Sequence, residues 1–391
     1  MQRFGLKALA VAGLVLASIP FARAATPQTS VPNAILIEAE SGTVLFQRQA
    51  DQLVAPASLA KLMTVEVVFD QLKLGNLKLD DAFVISENAW RKGGAMSRGS
   101  TMYAVLHSRV KVRDLLMGVV VQSGNDACIA LAEGIAGNEA AFSRLMNDRA
   151  RELGLVKSHF TNSPGLTDPN MRVTVRELAQ LARHIIHTYP EYYRWYRERE
   201  FTWNKIRQFN RNPLLAMDIG ADGMKTGFTS EAGYNLVGSA VQNGLRLIVV
   251  VTGLKTAKDR ADEGRRLLEW GFRSFDSRLL FAEGETVAEA KVYGGAQGRV
   301  PVVAKGPIKL MVPRGGSDRT TAKMIYTGPV RAPVRQGQPI GRLQVWRSDT
   351  KVLEVPLQAA ENVGVGSTSQ RAFDAAAELV IGLFRSAAKR L

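Results

Sequence analysis

Three short segments of this 391-residue chain hold the residue types that serine-based acyl transfer needs. In "APASLAKLMTVEVV", residues 55–68, Ser58 precedes Lys61 by three positions. A helix turns by about 100° per residue, so such a pair shares one face. A serine hydroxyl becomes a nucleophile when a neighbouring base takes its proton. A lysine is that base when desolvation or a nearby cation lowers its pKa. The spacing alone decides little, because four Ser-x-x-Lys pairs occur: Ser58/Lys61, Ser108/Lys111, Ser348/Lys351 and Ser386/Lys389. Taken in isolation, Ser58 also reads as a helix N-cap and Lys61 as a snorkelling surface lysine.

Two further segments shift the balance. "SGN" stands at Ser123, Gly124 and Asn125, and "KTG" stands once, at Lys225, Thr226 and Gly227. A looser Ser-x-Asn recurs at Ser86/Asn88. The signal is the set of three in that order. Other catalytic patterns are missing from the sequence. The four histidines, His107, His159, His184 and His187, form no HExxH site, so no metal and no cofactor is expected. His184 and His187 read as a surface pair on one helix face. There is no G-x-S-x-G elbow and no Walker or Rossmann glycine pattern.

The elements that must position these residues follow from periodicity and turn chemistry. Residues 34–49 read as two short strands around Ser41-Gly42. A helix opens at Ser58 and ends near Gly75. Residues 114–187 carry apolar residues at helical spacing, and Pro190 follows. "YNLVGSAVQNGLRLIVVVTG" reads as a hairpin on Asn243-Gly244. "DRADEGRRLLEWGFRSF" reads as an amphipathic helix with Leu267, Leu268, Phe272 and Phe275 on its apolar side. Beyond Asp276, short alternating runs such as "KMIYT" and "RLQVW" predict a β-rich domain over 277–360. "ENVGVGSTS" reads as a linker.

The ends of the chain have their own character. A basic "MQRFGLK", an apolar "ALAVAGLVLASIPF" and "ARA" at 22–24 read as a signal peptide over residues 1–24. The lone Cys128 allows no internal disulfide and reads as a buried structural thiol. The formal net charge of +15 favours anionic partners, such as anionic lipid or a cell-wall polymer. Export and the lack of a zinc-finger or aromatic-interleaved basic motif argue against nucleic acid. In residues 370–391, Phe373, Ala377, Val380, Phe384, Ala387 and Leu391 cluster on one helical face. That run is too short to span a bilayer and reads as an in-plane helix on an anionic membrane.

The sequence resembles the D-alanyl-D-alanine carboxypeptidases, the low-molecular-mass penicillin-binding proteins of serine peptidase family S11. "PASLAKLMT", "SGNDA", "TNSPGL" and "DGMKTGFTSEAGYNLVGSA" carry the likeness. It implies an α+β fold of β-lactamase/transpeptidase type: an antiparallel sheet flanked by helices, a helical subdomain, then a small β-rich domain. The expected layout is a signal peptide (1–24), a catalytic domain (25–276), a β-rich domain (277–360) and a linker with a membrane-associating helix (361–391). The periplasm, on the outer face of the cytoplasmic membrane, is the implied location.

Roles follow from the resemblance. Ser58 attacks, Lys61 takes its proton, and Ser123 relays a proton to the leaving D-alanine. Asn125 holds the substrate amide, while Lys225 and Thr226 take the terminal carboxylate. Lys225 is expected to lower the pKa of Lys61 by repulsion. Gly227 leaves the strand edge clear for an extended peptide. The backbone N–H groups of Ser58 and Phe228 would form the oxyanion hole. Phe228 stands where relatives often carry histidine. Lys255 is placed near the substrate carboxylate. The implied partners are peptidoglycan stem peptides ending in D-Ala-D-Ala, with β-lactams as covalent inhibitors. Ser108 and Lys111 lie in the alternating "LHSRVKVRD" and, if extended, point to opposite faces.

Three other readings share these motifs. A class A β-lactamase would need a deacylating glutamate in a Glu-x-x-Leu-Asn segment. None lies between Asn125 and Lys225. An endopeptidase and a non-catalytic penicillin-binding scaffold or sensor remain alternatives.

Overall fold

The computed structural model describes residues 9–14, 27–314 and 320–375. The chain divides into two compact units between Ser274 and Phe275. The first unit is built on an antiparallel sheet. Its strands are β1 (Asn33–Glu38), β2 (Val44–Arg48), β3 (Ala221–Thr229), β4 (Gly233–Gln242) and β5 (Leu245–Leu254). Their spatial order is β2-β1-β5-β4-β3, which leaves β3 at an edge. The β1–β2 turn closes on Glu38, whose carboxylate accepts from the backbone N–H of Glu40 and Ser41. The β4–β5 turn is Asn243-Gly244, with φ +50° and +77°. Two positive φ values match the right-handed twist of a tight hairpin.

Helices cover the sheet and build the subdomain. α1 (Lys61–Lys73) is buried along almost its whole length, from Lys61 through Phe69. A helix apolar on most sides belongs in a core. It packs against α2 (Asn125–Ala136), α3 (Glu139–Glu152) and α4 (Val175–Thr188). Gly75, at φ +77°, ends α1 as a left-handed C-terminal glycine. α4 and α5 (Ala257–Ser274) pack on β5. Gly271 lets α5 approach, because a Cβ there would stand 2.6 Å from Leu247 and 2.7 Å from Leu36. Phe275, expected on the apolar side of α5, instead opens the strand Phe275–Phe281 of the second unit, where it pairs with Pro313.

Two charged or polar features are buried beside α1. Glu66 is fully buried and ion-paired to Arg149 at 2.9 Å, with the Tyr189 hydroxyl donating to it at 3.2 Å. Cys128 is buried in the core, and burial raises its thiol to about 11, so it stays a neutral thiol.

The second unit is β-rich. Its larger sheet includes the strands Ala288–Tyr293, Arg299–Val303, Thr320–Thr327, Pro339–Arg347 and Thr350–Ala359. Leu9–Leu14 pairs antiparallel with Thr320–Thr327. Ala290, Val300, Val302, Leu310, Val345 and Leu357 are among its core. A helix begins at residue 368 and is described to residue 375, so most of the expected terminal helix lies outside the described residues. Among the described residues, no helix is long and apolar enough to cross a membrane.

Candidate active site

The nucleophile segment is a 3-10 turn, Ala57–Ala60, running directly into α1. Residues i and i+3 eclipse in a 3-10 helix, so this turn stacks Lys61 over Ser58 more closely than an α-helix does. Lys61 Nζ lies 3.0 Å from Ser58 Oγ. The N-cap of the turn is Pro56, so Ser58 is not a capping residue. Ala57, at φ +49°, adopts a left-handed conformation that a Cβ disfavours. Such strain collects at functional sites.

Lys61 has no solvent exposure, yet its amine is well supplied with acceptors. It donates to Asn125 Oδ1 at 2.7 Å and to Pro164 O at 2.6 Å. Burial lowers its pKa to about 8, and Arg211 adds repulsion. The sequence-based expectation gave that repulsive role to Lys225. The two amines do repel each other, and Lys225 is itself held well below the usual lysine range, by burial first and then by Lys61 and Arg211.

The second segment enters from the opposite wall. A π-helical turn, Gly118–Gln122, ends on Ser123, which sits at φ +67°. Such turns often mark functional sites. Ser123 Oγ is buried with no hydrogen-bond partner. Asn125 opens α2, and Lys61 occupies its Oδ1, leaving the side-chain NH₂ as its free donor type. Asp126 pins this wall: its carboxylate accepts from Thr101 Oγ1 at 2.7 Å and from the N–H groups of Met102, Ala104 and Ala127.

The third segment is the edge strand β3. Its alternation turns Lys225 and Gly227 toward the nucleophile turn. A Cβ on Gly227 would lie 3.1 Å from Pro56 O and 3.2 Å from Ser58 N and Leu59 N. Glycine therefore lets the strand close on the Ser58 backbone. Thr226 is buried, and Phe228 is 52% exposed with its ring 4.2 Å from that of Tyr234, its cross-strand partner.

A groove of about 960 Å³ joins the three segments. Ser58, Ser123, Asn125, Thr226, Gly227 and Phe228 line it, with Lys61 and Lys225 buried behind. Lys255 does not line it. It is an exposed residue just past the end of β5. The basic residues that do line the groove are Arg98, Arg211 and Arg260, which the sequence reading did not single out. Arg260 stands over the Tyr234 ring at 5.6 Å, and its Nε is buried without a partner. Among the described residues, no Asp or Glu lines this groove. The other Ser-x-x-Lys pairs fall elsewhere: Ser108 Oγ donates to Val105 O while Lys111 pairs with Asp80, and Lys351 pairs with Glu354. Ser386/Lys389 lies outside the described residues. His184 contacts Glu66 at 3.3 Å and His187 bonds Ala39 O. His184 is thus part-buried against Glu66, whereas His187 is exposed, so the surface character expected of the pair holds for His187 alone.

A serine turn at the head of a buried helix, facing the unpaired edge of an antiparallel sheet, defines the β-lactamase/transpeptidase class of serine enzymes. The comparisons carry this to the family. The family described as D-alanyl-D-alanine carboxypeptidase matches residues 21–256. The C-terminal domain of penicillin-binding protein 5 matches residues 275–365. The chain is 41% identical over 343 residues to D-alanyl-D-alanine carboxypeptidase DacC of Escherichia coli K12, covering 87% of this chain and 86% of that one. Penicillin-binding protein 5 of Haemophilus influenzae superposes with TM-score 0.75 at 39% identity, covering 87% of this chain and 99% of that one. Penicillin-binding protein D2 of Listeria monocytogenes, in an ampicillin-bound form, superposes with TM-score 0.54 at 30% identity, covering 62% of this chain and 98% of that one. The chain belongs to the D-alanyl-D-alanine carboxypeptidase family of serine peptidases, family S11. It has that family's catalytic fold followed by the β-rich domain of penicillin-binding protein 5.

Proposed function

We propose that Ser58 is the acylated residue through which this carboxypeptidase removes the terminal D-alanine of peptidoglycan stem peptides. The observation that carries the reading is the contact of Ser58 Oγ with the buried Lys61 amine. A neutral amine has two N–H bonds and one lone pair. Asn125 Oδ1 and Pro164 O take the two N–H bonds, which leaves the lone pair for the Ser58 hydroxyl.

The reaction then runs as follows. Lys61 accepts the Ser58 proton as Oγ bonds to the carbonyl carbon of the penultimate D-alanine. The oxyanion takes hydrogen bonds from the backbone N–H groups of Ser58 and Phe228. The C–N bond breaks, and the departing D-alanine nitrogen receives a proton through Ser123, whose orphaned hydroxyl needs a partner. Water then adds to the ester carbonyl carbon, its proton passing by way of Lys61 to the departing Ser58 Oγ, and the shortened peptide leaves with a new terminal carboxylate. Asn125 donates to the substrate amide carbonyl, and the substrate backbone adds alongside β3. Lys225 and Thr226 receive the terminal carboxylate, with Arg211 and Arg260 beside them in place of Lys255. A carboxylate in the groove offsets the desolvation of Lys225 and favours its ammonium form. Among the described residues lining the groove there is no glutamate of the kind a class A β-lactamase uses to speed deacylation, so a penicilloyl adduct is expected to be long-lived.

In the cell, residues 1–24 direct export to the periplasm and are removed, and residues 370–391 rest on the anionic membrane surface. Phe373 is 75% exposed while Asp374, next to it, accepts from Gly294 N, as an outward apolar face requires. The test of activity is D-alanine release from a synthetic stem peptide ending in D-Ala-D-Ala, with the mature chain and its Ser58→Ala variant. Release that persists in the variant refutes the assignment. The membrane reading fails if residues 25–391 bind anionic vesicles no better than residues 25–367.

A further inference from the structure

Pro164 O approaches Lys61 more closely than any other acceptor, and it belongs to a loop 103 positions away in the sequence. Three observations show how that loop is held. Thr64 lies one turn beyond Lys61 on the same face of α1, is fully buried, and donates from Oγ1 to Ser163 O at 2.7 Å. Asn162 Oδ1 accepts from the N–H groups of Gly165 and Leu166 at 2.9 and 2.8 Å, closing the turn from inside. Gly165, at φ +78°, seats the turn against the nucleophile segment, since a Cβ there would lie 2.0 Å from Ala57 O.

We propose that Thr64 is a positioning residue for the proton transfer. By holding Ser163 O, it fixes the next carbonyl, Pro164 O, on Lys61 Nζ. The step served is the transfer of the Ser58 Oγ proton to the Lys61 lone pair as Oγ bonds to the acyl carbon. If Pro164 O withdraws, the amine rotates freely about its last bond. An N–H then spends time facing Ser58 Oγ, where the lone pair should be. The inference rests on Lys61 being the base for Ser58.

The test is the rate of penicilloyl-adduct formation from pH 6 to 10, for the mature chain and for Thr64→Val, Thr64→Ser and Asn162→Ala. Thr64→Val keeps the volume and removes the donor. Its saturating acylation rate is expected to fall about tenfold, the order of effect a small loss of reactive geometry has. Noncovalent affinity for benzylpenicillin should stay within about twofold, because Thr64 does not line the groove. The acid limb of the profile should move to lower pH, since a carbonyl dipole that stabilises the ammonium has been loosened. Thr64→Ser should restore both rate and limb, and Asn162→Ala should reproduce the Thr64→Val signature. A Thr64→Val variant with the parent's plateau and limb overturns the proposal. So does a slowing that Thr64→Ser shares and that leaves the limb in place, which is the mark of mere loosening. Should the parent chain form no adduct, the Ser58 reading itself fails, a result distinct from the other two.

Discussion

Substituting Gly227 by alanine perturbs the oxyanion hole without touching a catalytic side chain. The new Cβ would stand 3.1 Å from Pro56 O and 3.2 Å from the backbone nitrogens of Ser58 and Leu59. Relieving these contacts to ordinary packing distance requires the 57–60 turn to retreat from β3 by roughly 0.3 Å. All three close atoms are backbone, so no flexible side chain can yield instead. The retreat separates two N–H groups, those of Ser58 and Phe228, that must converge on one oxygen. Complete loss of one such donor costs about 10²- to 10³-fold. A partial displacement should cost about 10- to 100-fold in the second-order acylation constant. The assay is adduct formation with benzylpenicillin at several drug concentrations, with melting temperature recorded alongside. Gly244→Ala is the control. It lies at φ +77° in the hairpin turn with nothing within 4 Å, so it is strained by about 1 kcal/mol with no consequence at the groove. If Gly227→Ala acylates no more slowly than Gly244→Ala, the proposed hole is wrong.

Three further outcomes are expected. The lowering of Lys61 from 10.5 to about 8 raises the neutral fraction at pH 7, the form a base needs. That fraction rises from about 0.0003 to about 0.1, so acylation should climb roughly tenfold per unit up to about pH 8 and then level off. A rate flat from pH 6 to 9 contradicts this, and Lys61→Arg, which cannot lose its proton, should slow acylation by about 10²- to 10⁴-fold. Arg149→Ala strands the fully buried Glu66 carboxylate and should cost about 3 kcal/mol, lowering the melting temperature by about 6–12 °C; an unchanged melting curve would show that Tyr189 and His184 suffice for Glu66.

Local chemistry made much of this protein legible in its sequence. Asn243-Gly244 specifies a hairpin because only such residues tolerate two successive positive φ values. Gly75 ends α1 for the same kind of reason. The i, i+3 spacing of Ser58 and Lys61 gave the contact, although a 3-10 turn, not an α-helical one, produces it. The resemblance places Lys255 near the substrate carboxylate, but the strand ends at Leu254 and Lys255 is exposed. Arg211 and Arg260 reach the groove from a loop and from α5, through tertiary packing that leaves no local signal. Ser123 carries no glycine-like cue for its left-handed backbone, which the π-helical turn before it imposes. Asp126 stood in plain view within "SGNDA", but three of its four acceptor contacts depend on a loop more than twenty residues earlier.

The central claim is that Ser58 is the nucleophile and that its acyl-enzyme forms from a penicillin and persists. Intact mass of the mature chain, followed against time after adding benzylpenicillin and compared with Ser58→Ala, tests it most directly. The parent chain should gain one drug equivalent, stable for many minutes, and the variant none. An adduct that forms equally on Ser58→Ala, or that vanishes within seconds while the drug is consumed, would contradict it, the second result marking a β-lactamase.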